Sequence, residues 1–422
     1  MPRLFPAFGA LLALVLLAPT PADAQPPAKY DAKTDRLRGL SRADLKLLEP
    51  YMATGPVTLV EFADTEGDEL PAITVATVVH ARPADLMKLM RNPAGYPRFM
   101  RTLDKVELVE RRADTVLYDW HWRMALLELS GRNAMRIYEP PPSRADRGYR
   151  VTIDSQHGDL GSGRMSMRVL PHGAGHSMLV LSMRLDLRKA NYVARKIARA
   201  ARSINRSANM SMAYAMVLSL RREAERRAGY RPPNAGSKRV RLHKPAIDEK
   251  AVLPLLRRGD LVLHHMRGDE LDQIAIFGLI HRKPELIREV MLDANAFGSA
   301  LMPGSDATVV SSENGVTTFD WDIDLPLVGV SGTMRLRDEN PVVAIEATDG
   351  ALRGGRWHFE TKQVGKRATM MSGWARFDLR KSSWLLRSLL NADPYLGHGM
   401  TAASEVMLLR ALRSRSRKKA QA

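Results

Sequence analysis

The sequence predicts an α+β protein made of two successive copies of one module, each an antiparallel sheet closed by a long C-terminal helix. Three observations predict it. Short motifs recur in one register, first 201 and then 192 residues apart. Strand-length runs alternate apolar and polar residues with period two. Each copy ends in a long stretch of helical periodicity.

The N-terminus decides which residues belong to the fold. Arg3, the uncharged apolar stretch from Leu4 to Pro19, and Ala22-Asp23-Ala24 together read as a secretory signal cleaved before Gln25. The apolar stretch is shorter than the ~20 residues a spanning helix needs. The remaining residues exceed one ordinary core, so two domains are expected. The expected plan is a signal peptide (1–24), a mobile N-terminal segment (25–40), a first module (41–228), a linker (229–245), a second module (246–413) and a basic tail (414–422).

The chain has no cysteine, so disulfides, thiolate nucleophiles and zinc–thiolate sites are excluded. Export without cysteine, in an arginine-rich chain, points to the periplasm of a Gram-negative bacterium. The net charge of +18 attracts polyanions. Outside the cytoplasm that means an anionic membrane surface before nucleic acid.

The repeat fixes the register of everything else. Gly67-Asp68-Glu69-Leu70 returns as Gly268-Asp269-Glu270-Leu271, His80 as His281, Pro83 as Pro284 and Tyr96 as Phe297. Tyr118-Asp119-Trp120 returns as Phe319-Asp320-Trp321, and Ser130-Gly131 as Ser331-Gly332. Beyond a longer turn at Pro140-Pro141-Pro142 the spacing drops to 192, matching Gly163-Arg164 to Gly355-Arg356 and Asp186 to Asp378. Two independently folded modules should result, with Trp120 on Trp321 and Asp186 on Asp378.

Each module opens with a short helix (43–51, 248–256) and a strand (57–62, 261–265). The Gly-Asp-Glu-Leu turn leads to a second strand (73–79, 274–280). Pro83 and Pro284 sit at a first helical position, where a missing N–H costs nothing. A run of strands follows, clearest where Phe319, Trp321, Ile323 and Leu325 alternate with Asp320, Asp322 and Asp324. The partner segment sets Tyr118, Trp120 and Trp122 against Asp119, His121 and Arg123. One face of the sheet is therefore aromatic and the other wet. Long helices over 190–227 and 383–413 must cover the aromatic face.

That order, carried by the strand Ile73–Val79, the proline-started helices after His80, the strand run and the long helix after Asp186-Leu187-Arg188-Lys189, resembles the helix-grip fold of the START-like superfamily. The superfamily includes polyketide cyclases, ubiquinone-binding proteins and the birch-pollen-allergen group. The resemblance spans roughly 72–228 and 273–413, and it implies a curved antiparallel sheet wrapped on a long C-terminal helix, with a hydrophobic ligand held between them. The extra opening helix and strand of each module depart from the pattern.

The residues expected to meet such a ligand are Tyr118, Trp120, Trp122, Met165 and Met167 in the first module, with Phe319, Trp321, Ile323 and Trp357 in the second. Flexible thioethers at Met183, Met212 and Met216 suit an adaptable apolar pocket. Arg195, Arg199, Arg202 and Arg206 recur at spacings of three and four and should form a membrane-facing stripe. His80 and His281 lack recurring acidic or histidine partners, so hydrogen bonding is expected of them rather than metal binding or catalysis. No nucleophile elbow, phosphate-binding loop or zinc-protease motif occurs, and no catalytic residue, metal or cofactor is assigned. The leading expectation is non-catalytic binding or carriage of a lipid, sterol-like or quinone-like molecule. A cyclase or aromatase, and a closed-core scaffold binding anionic membrane or a partner protein, remain open. Oligomeric state and ligand identity are not readable from the sequence.

Overall fold

The computed structural model describes residues 37–421 apart from 38, 63–71, 113, 125–126, 160, 188–194, 196–201, 233–240, 296–304, 326–327 and 382–383. The expected signal peptide, the first Gly-Asp-Glu-Leu copy, Phe297 and the centre of the linker lie outside the described residues.

The first half opens with α1 (Arg42–Met52), where the Ser41 hydroxyl accepts from Asp44 N at 3.1 Å and the Asp44 carboxylate accepts from Ser41 N at 2.7 Å. Strands β1 (Val57–Glu61) and β2 (Ile73–Val79) lead to α2 (Pro83–Met90), begun by its proline. Six strands follow: β3 (Leu103–Arg111), β4 (Thr115–Met124), β5 (Leu127–Tyr138), β6 (Tyr149–Gly158), β7 (Ser162–His172) and β8 (His176–Asp186). Helix α3 (Arg202–Arg227) closes the half.

The second half repeats this order: α4 (Glu249–Leu256), β9 (Gly259–Arg267), β10 (Glu270–Ile280), α5 (Pro284–Leu292), then β11 (Ser305–Glu313), β12 (Val316–Leu325), β13 (Val328–Glu339), β14 (Val342–Gly350), β15 (Arg356–Gly365) and β16 (Ala368–Arg376). Its closing helix differs from expectation. It is broken into α6 (Trp384–Ala392) and α7 (Pro394–Lys419), because Asp393 caps a new helix at Tyr395 N (2.9 Å) and Pro394 opens it. Helix α7 also runs on through the basic tail to Lys419.

The two halves, expected as two modules, are joined through one sheet. All strands form one antiparallel sheet, ordered β11-β12-β13-β14-β15-β16-β10-β9-β1-β2-β8-β7-β6-β5-β4-β3. Each half keeps its own strands and the same internal order, and the halves meet where β1 pairs with β9 from Val57↔Leu263 to Glu61↔Gly259. The opening helix and strand that departed from the family pattern are therefore the joint. Leu45, Leu48 and Met52 of α1 share a core with Val252, Leu255 and Leu256 of α4 on one face of the central strands. With that face covered, central strands are buried on both sides, and β2 reads Ile-Thr-Val-Ala-Thr-Val-Val without alternation.

Further out the alternation holds. Tyr118, Trp120, Phe319 and Trp321 are buried, while His121, Asp320 and Asp322 face water. The repeated Ser-Gly has a steric cause. Gly131 pairs with Trp120 and Gly332 with Trp321. A Cβ on Gly131 would lie 2.7 Å from the Trp120 ring, so glycine is what lets the indole lie across the neighbouring strand. Gly158 and Gly350, both at positive φ, cross Gly131 and Gly332 from the other side.

Helices α3 and α7 pack on this sheet and on each other. They come close together at Gly399, where a Cβ would stand 2.4 Å from Ser211 Cα. Alanine is the better helix former by about 1 kcal/mol. Overpacking against backbone costs about 1–3 kcal/mol or more and should win. Gly399→Ala is therefore expected to lower the urea-unfolding free energy of the whole chain; an increase would show that the helices can separate freely.

Candidate functional site

A cavity of about 70 Å³ opens in the first half between the sheet and α3. Strand β4 supplies Tyr118, Trp120 and Trp122, β7 supplies Met165, and α3 supplies Met212 and Met216. Trp122, only partly buried, meets Trp120 edge-on with ring centroids 6.3 Å apart. Met100 from the turn before β3 completes a wall of thioethers and indoles.

Polar atoms gather on the same surface. Asn133 Nδ2 donates to the Tyr118 hydroxyl at 3.2 Å, and burial pushes that phenol up to about 12, so it stays protonated. Thr102 and Ser155 also line the space. The indole N–H of Trp120 is buried with no hydrogen-bond acceptor among the described residues. Asp393 lines the cavity too, although it belongs to the second half. Burial raises its carboxyl above the usual range against the lowering effect of its cap bond to Tyr395 N.

The corresponding region of the second half is built differently. Gly163, Met165 and Leu185 of the cavity wall match Gly355, Trp357 and Phe377 in the repeat register. Trp357 and Phe377 stack with centroids 5.0 Å apart, and the Trp357 indole donates to Glu405 Oε1 at 2.9 Å. Two aromatic rings thus stand where the first half has a thioether and a leucine. Glu405 is fully buried on α7, and burial raises its carboxyl to about 8 despite the indole bond. It is neutral at ordinary pH.

The structure places Tyr118, Trp120, Trp122 and Met165 on the cavity wall, while Met167 is buried beside it in the core. Phe319, Trp321 and Trp357 are buried in the second half's core and Ile323 packs on them. Two of the four arginines have described side chains. Arg195 and Arg206 are partly buried, Arg202 opens α3, and Arg199 lies outside the described residues. His80 hydrogen-bonds rather than ligates: its ring and its backbone N–H both meet Glu225 Oε1, at 2.9 and 3.1 Å. Among the described residues no three His, Asp or Glu side chains converge as metal ligands. Sequence reasoning missed Asp393 and Glu405. The Asp-Pro pair was a readable helix start, and Glu405 is an acid on an otherwise apolar helix face beside Ala402, Val406 and Leu409.

No family model matches the chain, and no curated protein does. Among solved structures it is similar to the di-domain aromatase/cyclase StfQ of the steffimycin biosynthetic pathway, at 12% identity over 83% of this chain and 99% of that one, with a TM-score of 0.29. The Zhui aromatase/cyclase from a Streptomyces species matches at 18% over 37% and 94% of the two chains, TM-score 0.30. A STAR-related lipid transfer protein from Xanthomonas axonopodis matches at 11% over 40% and 93%, TM-score 0.32.

Glu405 has a signature in pH. The folded chain holds its proton up to about pH 8, whereas an unfolded glutamate releases it near 4.5. The folded state binds more protons in that window, so stability falls as pH rises through it and levels off above. Glu405→Gln keeps an acceptor for Trp357 without the titration. Relative to the parent, it should gain on the order of a few kcal/mol between those limits in urea unfolding. A difference that stays constant with pH would mean the carboxyl ionises freely.

Proposed function

We propose that the chain is a non-catalytic carrier of a hydrophobic molecule (a lipid, sterol-like or quinone-like compound), and that the first-half cavity is its site. The observation that carries this is the asymmetry between copies of one module. Trp357 and Phe377 stack in the second copy at the positions where Met165 and Leu185 line the cavity of the first. A core kept only for stability gains nothing from that space, since voids forfeit dispersion contacts.

The cavity is small beside the ~300–1,000 Å³ of drug-sized sites. Its walls explain how a larger guest fits: Met100, Met165, Met212 and Met216 have unbranched side chains that re-pack at little cost. In this reading each sheet curves round its long helix as a grip, and the ligand displaces thioethers to lie between them. The same reading places the exported chain in the periplasm, with its net positive charge turned toward anionic membrane and Arg195 and Arg206 contributing.

A cyclase reading draws on a different observation, the convergence of Tyr118, Asn133, Ser155 and Asp393 on the cavity. A carrier returns its passenger chemically unchanged, which separates the two.

Protein purified from its native host and extracted into organic solvent should yield a hydrophobic compound in near-stoichiometric amount by mass spectrometry. Trp122→Ala should reduce that load without unfolding the chain. Met165→Trp with Leu185→Phe, which copies the second half's pair, should remove it. An empty parent protein, or a load indifferent to both changes, would overturn the assignment of the site.

A further inference from the structure

The helix that interrupts the second half's closing element carries a surface of its own. Of the six tryptophans in the chain, four are buried and Trp122 is partly buried. Trp384, the first residue of α6, is 68% exposed. The other side of α6 is anchored: Leu390 is buried and Leu389 packs on the core. Helix α6 is thus fixed from behind and presents an indole to solvent on its outer side.

Its surroundings are cationic. Arg353, Arg380, Lys381 and Arg387 are all exposed. They form one connected patch, because Arg387 Nε donates to the Arg380 carbonyl at 3.1 Å and Lys381 Nζ to the Arg353 carbonyl at 3.3 Å. Asp378, whose carboxylate binds Arg380 at 2.9 Å, offsets one of these charges. The chain as a whole carries +18, so the patch lies in a field of its own sign. The repeat retains the pattern: Trp384 and Arg387 match Tyr192 and Arg195.

We propose that α6 is a membrane-docking element that seats Trp384 at the headgroup level of an anionic lipid surface, with Arg353, Arg380, Lys381 and Arg387 on the phosphates around it. An indole is suited to that depth, with an apolar body and a polar N–H, and cations flanking it gain from anionic headgroups. Four cations on one patch, with Asp378 bonded to only one of them, complement a continuous anionic lipid surface. The proposal deepens the membrane part of the reading above by giving it a discrete element. It does not depend on what the cavity holds. It has a consequence for the cavity, because α6 ends at Ala392 and the next residue, Asp393, is a wall of that space. Docking α6 brings the cavity wall to the membrane.

The test uses the full chain and vesicles of phosphatidylcholine alone or mixed with phosphatidylglycerol. The parent should co-sediment with the mixed vesicles at low salt and release at high salt. Trp384→Ala should weaken that binding by about ten-fold. Glutamine at Arg353, Arg380, Lys381 or Arg387 should weaken it by about five-fold per charge. Acyl-brominated lipid should quench tryptophan fluorescence in the parent and not in Trp384→Phe, whose urea unfolding should be unchanged because the position is exposed. Equal binding by Trp384→Ala and parent would overturn the proposal. So would quenching that persists in Trp384→Phe, or binding lost only when Arg195 and Arg206 are reversed. Passenger content measured in the same variants reports separately on the cavity, and it should match the parent.

Discussion

An open sheet edge made of buried residues is the constraint on which the rest of this structure depends. Val57, Thr58, Leu59 and Val60 of β1 are all inaccessible to solvent, and so are Asp260, Leu261 and Val262 of β9. Either strand alone would present unpaired backbone groups along an apolar edge, the arrangement that invites uncontrolled pairing. Each strand is the other's solution. The outer ends of the sheet, β3 and β11, are treated in the opposite way. Both are largely exposed, and each is bulged at a matching place, between Leu108 and Glu110 and between Val309 and Ser311. The bulge and the charged side chains blunt edges that nothing pairs.

Joining the halves edge to edge forces their closing helices together, and the contact is made specific by a buried polar chain. Tyr214 of α3 bonds Thr58 of β1 and, at 2.9 Å, Nδ1 of His264 on β9, while His264 Nε2 meets the His398 carbonyl of α7 at 3.3 Å. Burial, reinforced by His398, holds His264 down at about 3, so the ring is neutral. Its N–H must then face the carbonyl, leaving Nδ1 to accept from Tyr214. The chain runs through both halves and fixes how they meet. Buried polar groups satisfied in this way favour one arrangement over slipped alternatives.

Within that frame the two copies have diverged in their interiors while keeping the order of their strands. The Trp–Gly pairs and the crossing glycines are the same in both, because they are conditions of sheet geometry. The wall residues are not, because a cavity can be filled or left open without moving a strand. In the second copy Trp357 is bonded to a neutral Glu405. That copy also lends Asp393 to the first copy's cavity, so the candidate site is a property of the whole chain.

The sequence by itself determined the duplication, the element order, the wet and aromatic faces and six aromatic and thioether residues of the cavity wall. Those follow from periodicity and local chemistry, which neighbouring residues dictate: period two at Phe319 to Leu325, proline at Pro83 and Pro284, glycine opposite tryptophan. Only the tertiary structure decided that β1 pairs with β9, that Asp393 reaches the other half, and that a cavity lies behind Trp120 and Met165. Each of these joins residues far apart in the chain. The buried runs of β1 and β9 fit an edge, an interior strand or a core helix equally well until a partner is present. Whether a methionine or a tryptophan leaves space depends on the residues facing it across the core, and no pattern along the chain records them.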